Sequence, residues 1–151
     1  MGERLTAAQA LVGYGRAWFE PDQAGRVEAL RRCCTEDIVF VQGTETYHGL
    51  DEVATMIGSF ASSAPAAAEE AAPSEGRERG RTGANGVGVD VVTAIEEMGS
   101  FFRYSFVWTL PDGTRSAGTD FCEVADDGRM KLITVWPAND DFPLPDAARG
   151  Q

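Results

Sequence analysis

Histidine, cysteine and basic residues are scarce in this chain of 151 residues, and each shortage excludes a class of function. His48 is the only histidine, and the three cysteines are Cys33, Cys34 and Cys122. Because a transition-metal site usually takes three or four His or Cys ligands, the sequence predicts no protein-ligated metal. Three cysteines cannot all pair, and two of them are adjacent on a predicted helix. We therefore expect reduced thiols that pack as small core residues.

The charge balance and the lack of long apolar runs exclude two kinds of partner. Lys and Arg number 13 against 24 Asp and Glu, which gives a net charge of −11. This excess of negative charge repels nucleic acid and anionic membranes, so neither is expected as a partner. No apolar run approaches the roughly 20 residues that cross a bilayer. The N-terminal segment contains an acid and lacks the hydrophobic stretch of a signal peptide, which predicts a cytoplasmic protein.

The most informative stretch, residues 101–136, reads as three antiparallel strands. Two turns join them, at 111–113 and 126–128, and each has Gly after Asp, which suits backbone positions of positive φ. Alternation along the first strand places four aromatic side chains on one face. These residues are Phe102, Tyr104, Phe106 and Trp108. On the second strand the same alternation places Asp120 on one face together with Gly118. If this face of the second strand and the aromatic face of the first strand lie on the same side of the sheet, the carboxylate of Asp120 is surrounded by aromatic side chains.

Elsewhere in the chain, apolar spacing and capping residues predict helices and strands in a definite order. The predicted elements are helices at 6–19, 22–35 and from 49 onward, a strand at 38–41, a turn at 42–46 and a long strand at 87–97. Residues 62–86 lack large apolar side chains, so we expect a mobile, low-complexity insertion there. Residues 138–151 are rich in Pro and Asp and are expected to form a flexible tail. The sequence thus predicts one α+β domain over residues 1–137.

This order of elements, together with several short motifs, resembles the NTF2-like superfamily, and within it the SnoaL-like group and the ketosteroid isomerases. The motifs are Thr35 to Phe40, His48-Gly49, Phe106 to Trp108, Gly118 to Asp120, and Asp126 to Met130. The resemblance implies a cone, in which a curved antiparallel sheet packs against three N-terminal helices and encloses a pocket. It also implies a homodimer, an arrangement that is common in the family.

The same resemblance suggests roles for three polar or aromatic positions. In the ketosteroid isomerases a first-helix tyrosine and a protonated late-strand aspartate donate to the substrate oxygen, while a second aspartate moves the proton. Asp120 matches the late-strand acid, and Trp18, with Tyr14 one turn earlier, matches the first-helix position. Gln42 falls at the second aspartate, and an amide cannot accept and return a proton. Steroid isomerisation by that mechanism is therefore not supported, whereas SnoaL-type polyketide cyclases rely on one strand aspartate, which Asp120 matches best.

The predicted catalytic residues are Asp120, as acid or base, and Tyr14, as a donor to a developing oxyanion. Side chains predicted to line the pocket come from both the helices and the sheet. They are Trp18, Gln42, His48, Phe60, Phe102, Tyr104, Phe106, Trp108 and Ile133. Each position also has a structural alternative. In that alternative, Asp120 forms a hydrogen bond within the core, the aromatic residues only pack against one another, and His48 is a polar turn residue.

The sequence therefore predicts a protein that binds a small, largely apolar, ring-containing molecule. If the protein is an enzyme, it transfers protons in a cyclase or isomerase type of reaction, without a metal or an organic cofactor. The alternative is a non-catalytic ligand-binding or dimerisation module, which the loss of the isomerase base at Gln42 favours. A roomy cavity with Asp120 inside it favours the enzyme, and a cavity too small for a ring favours the alternative.

Overall fold

The computed structural model describes residues 3–63, 88–109 and 113–138, which form three helices and seven strands. The helices are α1 (Ala7–Phe19), α2 (Gln23–Cys33) and α3 (Gly49–Ser63). The strands are β1 (Cys34–Gln42), β2 (Glu45–His48), β3 (Gly88–Val91), β4 (Glu96–Met98), β5 (Phe101–Thr109), β6 (Arg115–Val124) and β7 (Met130–Pro137). No helix within these described ranges is long and apolar enough to span a bilayer.

The first two helices begin at the predicted capping residues. Thr6 and Gln9 form a reciprocal capping box, in which each side chain accepts a hydrogen bond from the other residue's backbone N–H. Asp22 caps α2 by accepting a 2.7 Å hydrogen bond from the Gly25 N–H. The second helix ends at Cys33, earlier than the predicted Thr35, because the next residue is already extended and pairs with β7.

The strands form one curved, unclosed sheet in the order β2-β1-β7-β6-β5-β3, with β4 paired to the start of β5. The predicted antiparallel meander of β5, β6 and β7 is confirmed, and Gly128 has a φ of 85° in the turn between the last two strands. One pair differs from the expected antiparallel sheet, because β1 lies parallel to β7. The sheet is therefore mixed. Register shifts within β1 and β6 are the kind of irregularity that bends strands and curves a sheet.

Two stretches fold differently from the sequence prediction. The predicted turn at 42–46 is tighter, because the chain reverses through Gly43 and β2 then pairs back onto β1. The predicted strand at 87–97 is divided into β3 and β4, which pair with opposite ends of β5. Between them the Thr93 hydroxyl accepts a 2.8 Å hydrogen bond from the Ser105 N–H. A side chain thus takes the place of a backbone partner where the strand is interrupted.

Some sequence predictions fall outside the described residues. These are most of the insertion predicted at 62–86, all but Gly113 of the turn at 111–113, and the tail beyond residue 138. The side chain of Phe60 also lies outside the described part of the structure, although α3 itself continues to Ser63.

The core lies between the helices and the inner face of the sheet. Its largest fully buried side chains come from α2, from α3 and from one face of β1, β6 and β7. They include Ile38, Phe40, Ile57, Met130 and Ile133. On the opposite, outer face Arg103 forms an ion pair with Glu96 at 2.9 Å. The predicted α+β fold, with three helices packed on a curved sheet, is therefore confirmed.

Candidate ligand pocket

Four residues lie side by side on one rung of the sheet. Gln42 on β1 is paired with Val135 on β7, which is paired with Asp120 on β6, which is paired with Tyr104 on β5. Neighbouring strands lie about 4.8 Å apart, so the Cα atoms of Gln42 and Asp120 are roughly 10 Å apart. Residues on one rung point to the same face. The Asp120 carboxyl group and the Gln42 amide therefore lie on the same face of the sheet, with Val135 between them.

The aromatic set of β5 shares this face, as the sequence predicted. Tyr104 is paired with Asp120, Phe106 with Gly118, and Trp108 with Ser116. Exposure increases in that order along β6, since Asp120 and Gly118 are buried and Ser116 is exposed. This face of the sheet is therefore open to solvent at the Ser116 rung. A strand rises about 3.3 Å per residue, so Asp120 lies roughly 13 Å along the strand from the rim.

Helix α1 covers this face and completes a cavity of about 280 Å³. Residues at helical spacing on α1 line one side, and the inner faces of five strands line the other. The lining residues are Leu11, Tyr14, Gly15, Trp18, Phe19, Phe40, Gln42, Val91, Tyr104, Phe106, Trp108, Ser116, Ala117, Asp120, Val135 and Pro137. The rings of Trp18 and Trp108 meet edge to face, with centroids 4.7 Å apart, and so join the helix to the sheet.

Asp120 is the polar centre of the cavity, and its two carboxyl oxygens have different surroundings. Oδ2 accepts a 2.5 Å hydrogen bond from the Tyr104 hydroxyl. Oδ1 is buried and has no hydrogen-bond partner among the described residues. Burial raises the pKa of Asp120 to about 7, and the hydrogen bond from Tyr104 opposes that rise. Near neutral pH the group is therefore able both to donate and to accept a proton.

Tyr14 lies close enough to Asp120 for the two groups to interact electrostatically. Burial, and then the charge of Asp120, raise the pKa of Tyr14 well above its ordinary value, whereas a hydrogen bond with Trp18 lowers it. The Tyr14 hydroxyl consequently stays protonated and remains a hydrogen-bond donor. Its position on α1 places it opposite the sheet that carries Asp120.

Seven of the predicted site residues line the cavity. Those that line it are Tyr14, Trp18, Gln42, Tyr104, Phe106, Trp108 and Asp120. Phe102 and Ile133 are not among the lining residues, and both side chains are buried in the core. His48 lies instead on the edge strand β2, exposed, with its backbone N–H bonded to Glu52. Phe60 stays a prediction, since its side chain is not among those described.

Other lining residues were missed by reasoning from the sequence. Leu11, Gly15 and Phe19 belong to the apolar stripe of α1, and helical spacing was the signal that could have added them. Ser116 continues the alternation of β6 beyond Gly118. Val135 had no such signal, because its place beside Asp120 depends on the pairing of β6 with β7.

The three cysteines are buried in the core below the cavity. The Sγ atoms of Cys33 and Cys34 are 3.8 Å apart. Contact with Cys33 and burial raise the pKa of Cys34, and burial and the charge of Asp120 raise the pKa of Cys122, so both thiols stay protonated. Within the described ranges, no three His, Cys, Asp or Glu side chains are grouped to hold a metal ion.

Similarity to solved structures identifies the fold, although no family model and no curated protein matches the chain. A SnoaL-like family protein from Agrobacterium tumefaciens aligns with a TM-score of 0.67 at 19% identity, over 88% of this chain and 97% of that one. An NTF2-like protein of unknown function from Cytophaga hutchinsonii aligns with a TM-score of 0.57 at 10% identity, over 91% and 94%. The chain has the NTF2-like fold. At such low sequence identities the shared fold does not identify an activity, because one fold hosts many functions.

Proposed function

We propose that this chain binds a small, largely apolar, ring-containing molecule in the cavity between α1 and the sheet. On that molecule it catalyses a cofactor-free proton transfer, of the cyclase or isomerase type, through Asp120. The observation that supports the proposal is the Asp120 side chain, which lines an aromatic cavity and whose buried Oδ1 atom has no hydrogen-bond partner among the described residues. A structural neighbour, the Agrobacterium tumefaciens protein, is itself a candidate isomerase of the SnoaL-like family.

The energetic argument starts from the cost of that unpartnered atom. Leaving a buried polar group without a hydrogen bond costs about 1–3 kcal/mol. A ligand oxygen in the cavity would remove this cost, because protonated Asp120 would donate to it from Oδ1. The pKa of about 7 also suits acid–base catalysis, which works best when the pKa lies near the working pH.

The proposed reaction needs only one carboxyl group. As a carboxylate, Asp120 removes a proton from a carbon next to a ketone, and the electron pair moves to the ketone oxygen. The Tyr14 hydroxyl donates to that oxygen as its negative charge develops. Asp120, now neutral, returns a proton to the same carbon or to another one. Because the acid proton can exchange with water before this step, deuterium from D2O enters the ketone. Tyr104 is a positioning residue in this scheme, since its hydrogen bond to Oδ2 holds the carboxyl group in one orientation and leaves Oδ1 without a described partner.

Gln42 takes part in binding, not in proton transfer. It lines the cavity on the same rung as Asp120, and its amide both donates and accepts hydrogen bonds. A ligand with a second polar group about one strand spacing beyond Val135 would meet this amide. The neutral side chain cannot replace the second aspartate of the ketosteroid isomerases, so the proposal excludes their two-carboxylate mechanism.

The second candidate is a non-catalytic ligand-binding or dimerisation module. Gln42 at the base position favours it, and so does the cavity volume of about 280 Å³, which is near the lower end of typical ligand pockets. The outer face of the sheet also exposes Phe101, Phe121 and Trp136, at 46%, 40% and 60%. We propose that a second copy covers this face. Sedimentation at micromolar concentration tests the homodimer, and a clean monomer would contradict it.

A ketone screen separates the two candidates. Two-ring ketones such as 2-tetralone, and larger polycyclic ketones, would be added to the wild type, to Asp120→Asn and to Asp126→Asn. Asp126→Asn is the control, because this exposed acid lies in the turn outside the cavity. A ligand at a hundred times its Kd should add about 2.7 kcal/mol of stability, which raises the Tm by roughly 5–10 °C.

Turnover is then measured as deuterium exchange next to the ketone, followed by NMR in D2O. Exchange catalysed by the wild type and by Asp126→Asn, but not by Asp120→Asn, would support the enzyme. A bound ketone that exchanges no faster than in buffer would support the non-catalytic binding module. Absence of binding across the whole panel would contradict both ligand-binding readings. The cytoplasmic location expected from the sequence stays a prediction.

A further inference from the structure

Glycine inside a helix destabilises that helix, so each interior glycine needs a structural reason. Gly13 has one, because an added Cβ atom would lie 2.9 Å from Cys33 Cβ, where α1 packs closely on α2. At Gly25 and Gly58 an added Cβ atom would meet the ends of two flexible side chains, a Glu20 oxygen at 2.6 Å and an Arg26 nitrogen at 2.5 Å. These side chains can move aside, but at each position a neighbour is present.

Gly15 differs from these three glycines. A Cβ atom added there would have no heavy atom within 4 Å, and its φ is not in the positive range that favours glycine. Neither close packing nor backbone conformation explains why α1 has a glycine at this position. Gly15 does, however, line the cavity, between Leu11 one turn before it and Trp18 one turn after it. The empty space beside its Cα atom is therefore part of the cavity.

We propose that Gly15 determines the size of ligand that the cavity accepts. The missing side chain provides the room for one ring of the ligand, which packs against the α1 backbone between Leu11 and Trp18. This inference rests on the proposed ligand-binding function and adds a ligand class to it. Among the described residues, the lining contains two tyrosines and one aspartate but no Lys, Arg or His, so this part of the cavity offers no counter-charge to an anionic ligand. The ligand class is thus a neutral molecule with more than one ring.

The test is a fluorescence titration with N-phenyl-1-naphthylamine, a neutral aromatic probe with a fused two-ring system and a third ring. It compares the wild type with Gly15→Ala, Gly15→Leu and, as a control on the same helix, Gly13→Ala. We expect the Kd of the probe to rise a few-fold in Gly15→Ala and at least tenfold in Gly15→Leu. In Gly13→Ala the Kd should stay within twofold of the wild type, because this residue faces α2 and not the cavity.

Thermal melts of the unliganded proteins show whether a weaker Kd reflects lost space or lost folding. Gly15→Ala should melt about 2–4 °C above the wild type, because alanine favours the helix and meets no neighbour. Gly13→Ala should melt below the wild type, because its Cβ atom strikes Cys33. A weaker Kd in the stabilised Gly15→Ala variant therefore reports the loss of cavity space, even if the larger leucine disturbs the fold.

The outcomes separate this inference from the proposed function. Unchanged probe affinity in Gly15→Leu would overturn the proposed role of Gly15 but would leave the proposed function standing. Size-dependent probe binding together with no Asp120-dependent deuterium exchange would support the role of Gly15 while contradicting catalysis. A wild-type protein that binds neither the probe nor any ketone of the panel would overturn both proposals.

Discussion

Asp120 in the cavity and Asp127 in the turn after the same strand are the same residue type in opposite surroundings. Burial raises the pKa of Asp120 to about 7, and only one of its oxygens has a described partner. Hydrogen bonds from the backbone and side chain of Arg129 lower the pKa of Asp127, which is exposed. The comparison shows that the number of donors and the access of water decide which of two aspartates can do chemistry.

The largest expected effect is the loss of proton transfer in Asp120→Asn. General acid–base catalysis contributes about 10²–10⁴-fold, so deuterium exchange into a bound ketone should fall by that factor. The matched variant Asp127→Asn removes a carboxylate that already has two hydrogen bonds and lies outside the cavity. Its exchange rate should stay within about twofold of the wild type, allowing for normal context effects. An equal loss of exchange rate in Asp120→Asn and Asp127→Asn would contradict the proposal that only Asp120 transfers protons.

The next effect is a fall in stability as the pH rises. The folded protein holds the Asp120 proton up to a pKa of about 7, whereas the unfolded chain releases it near the ordinary value of about 4. Between these values the folded state binds more protons, so the free energy of unfolding falls with rising pH, by up to roughly 4 kcal/mol. Urea unfolding at a series of pH values measures this slope. Asp120→Asn should flatten it, and an equally steep slope in that variant would exclude Asp120 as its source.

A smaller effect is expected for Tyr104→Phe. The variant leaves both oxygens of Asp120 without a described partner and should cost about 1–3 kcal/mol of stability. Because the Tyr104 hydrogen bond lowers the pKa of Asp120, its loss should raise that pKa further. A carbon-13 NMR titration of the Asp120 carboxyl carbon and the pH–rate profile should then shift together. A stability loss without either shift would show that Tyr104 acts through packing alone.

The smallest effect concerns the turn. Arg129→Ala removes the side-chain donor to Asp127 but keeps the backbone N–H of residue 129, which is the larger cause of the lowered pKa. The pKa of Asp127 should therefore rise only part of the way toward its ordinary value in an NMR titration. The pair lies at the surface, so its loss should cost no more than about 1 kcal/mol. Proton transfer in the cavity should not change. A large fall in exchange rate in Arg129→Ala would mean that the turn and the cavity are coupled.

Local features of the fold follow from neighbouring residues and were therefore predictable. Thr6 and Asp22 bond to backbone groups three residues ahead, which a sequence displays directly. The alternation of β5 places its aromatic side chains on one face whatever strand lies beside it. Asp120 lies on that face because the register between β5 and β6 pairs it with Tyr104.

The cavity could be predicted only in part, because its depth depends on elements far apart in the sequence. Phe102 alternates with Tyr104 in the same manner as Phe106 does, and nothing in that spacing reveals that its side chain packs in the core and does not line the cavity. Gly15 looks like any small residue of a helical stripe. Only the absence of neighbours around its Cα atom distinguishes it from Gly13, two residues earlier on the same helix.

The sequence by itself determined the helices, the aromatic strand face and the choice of Asp120 as the central acid. These depend on hydrogen bonds and side-chain directions within a few residues, which are local properties of the chain. The tertiary structure alone decided that β1 lies parallel to β7, which sets Gln42 on the rung of Asp120. It also decided the pKa of Asp120 and the space beside Gly15. Desolvation and free volume are produced by everything packed around a residue, and no local pattern in the chain contains that information.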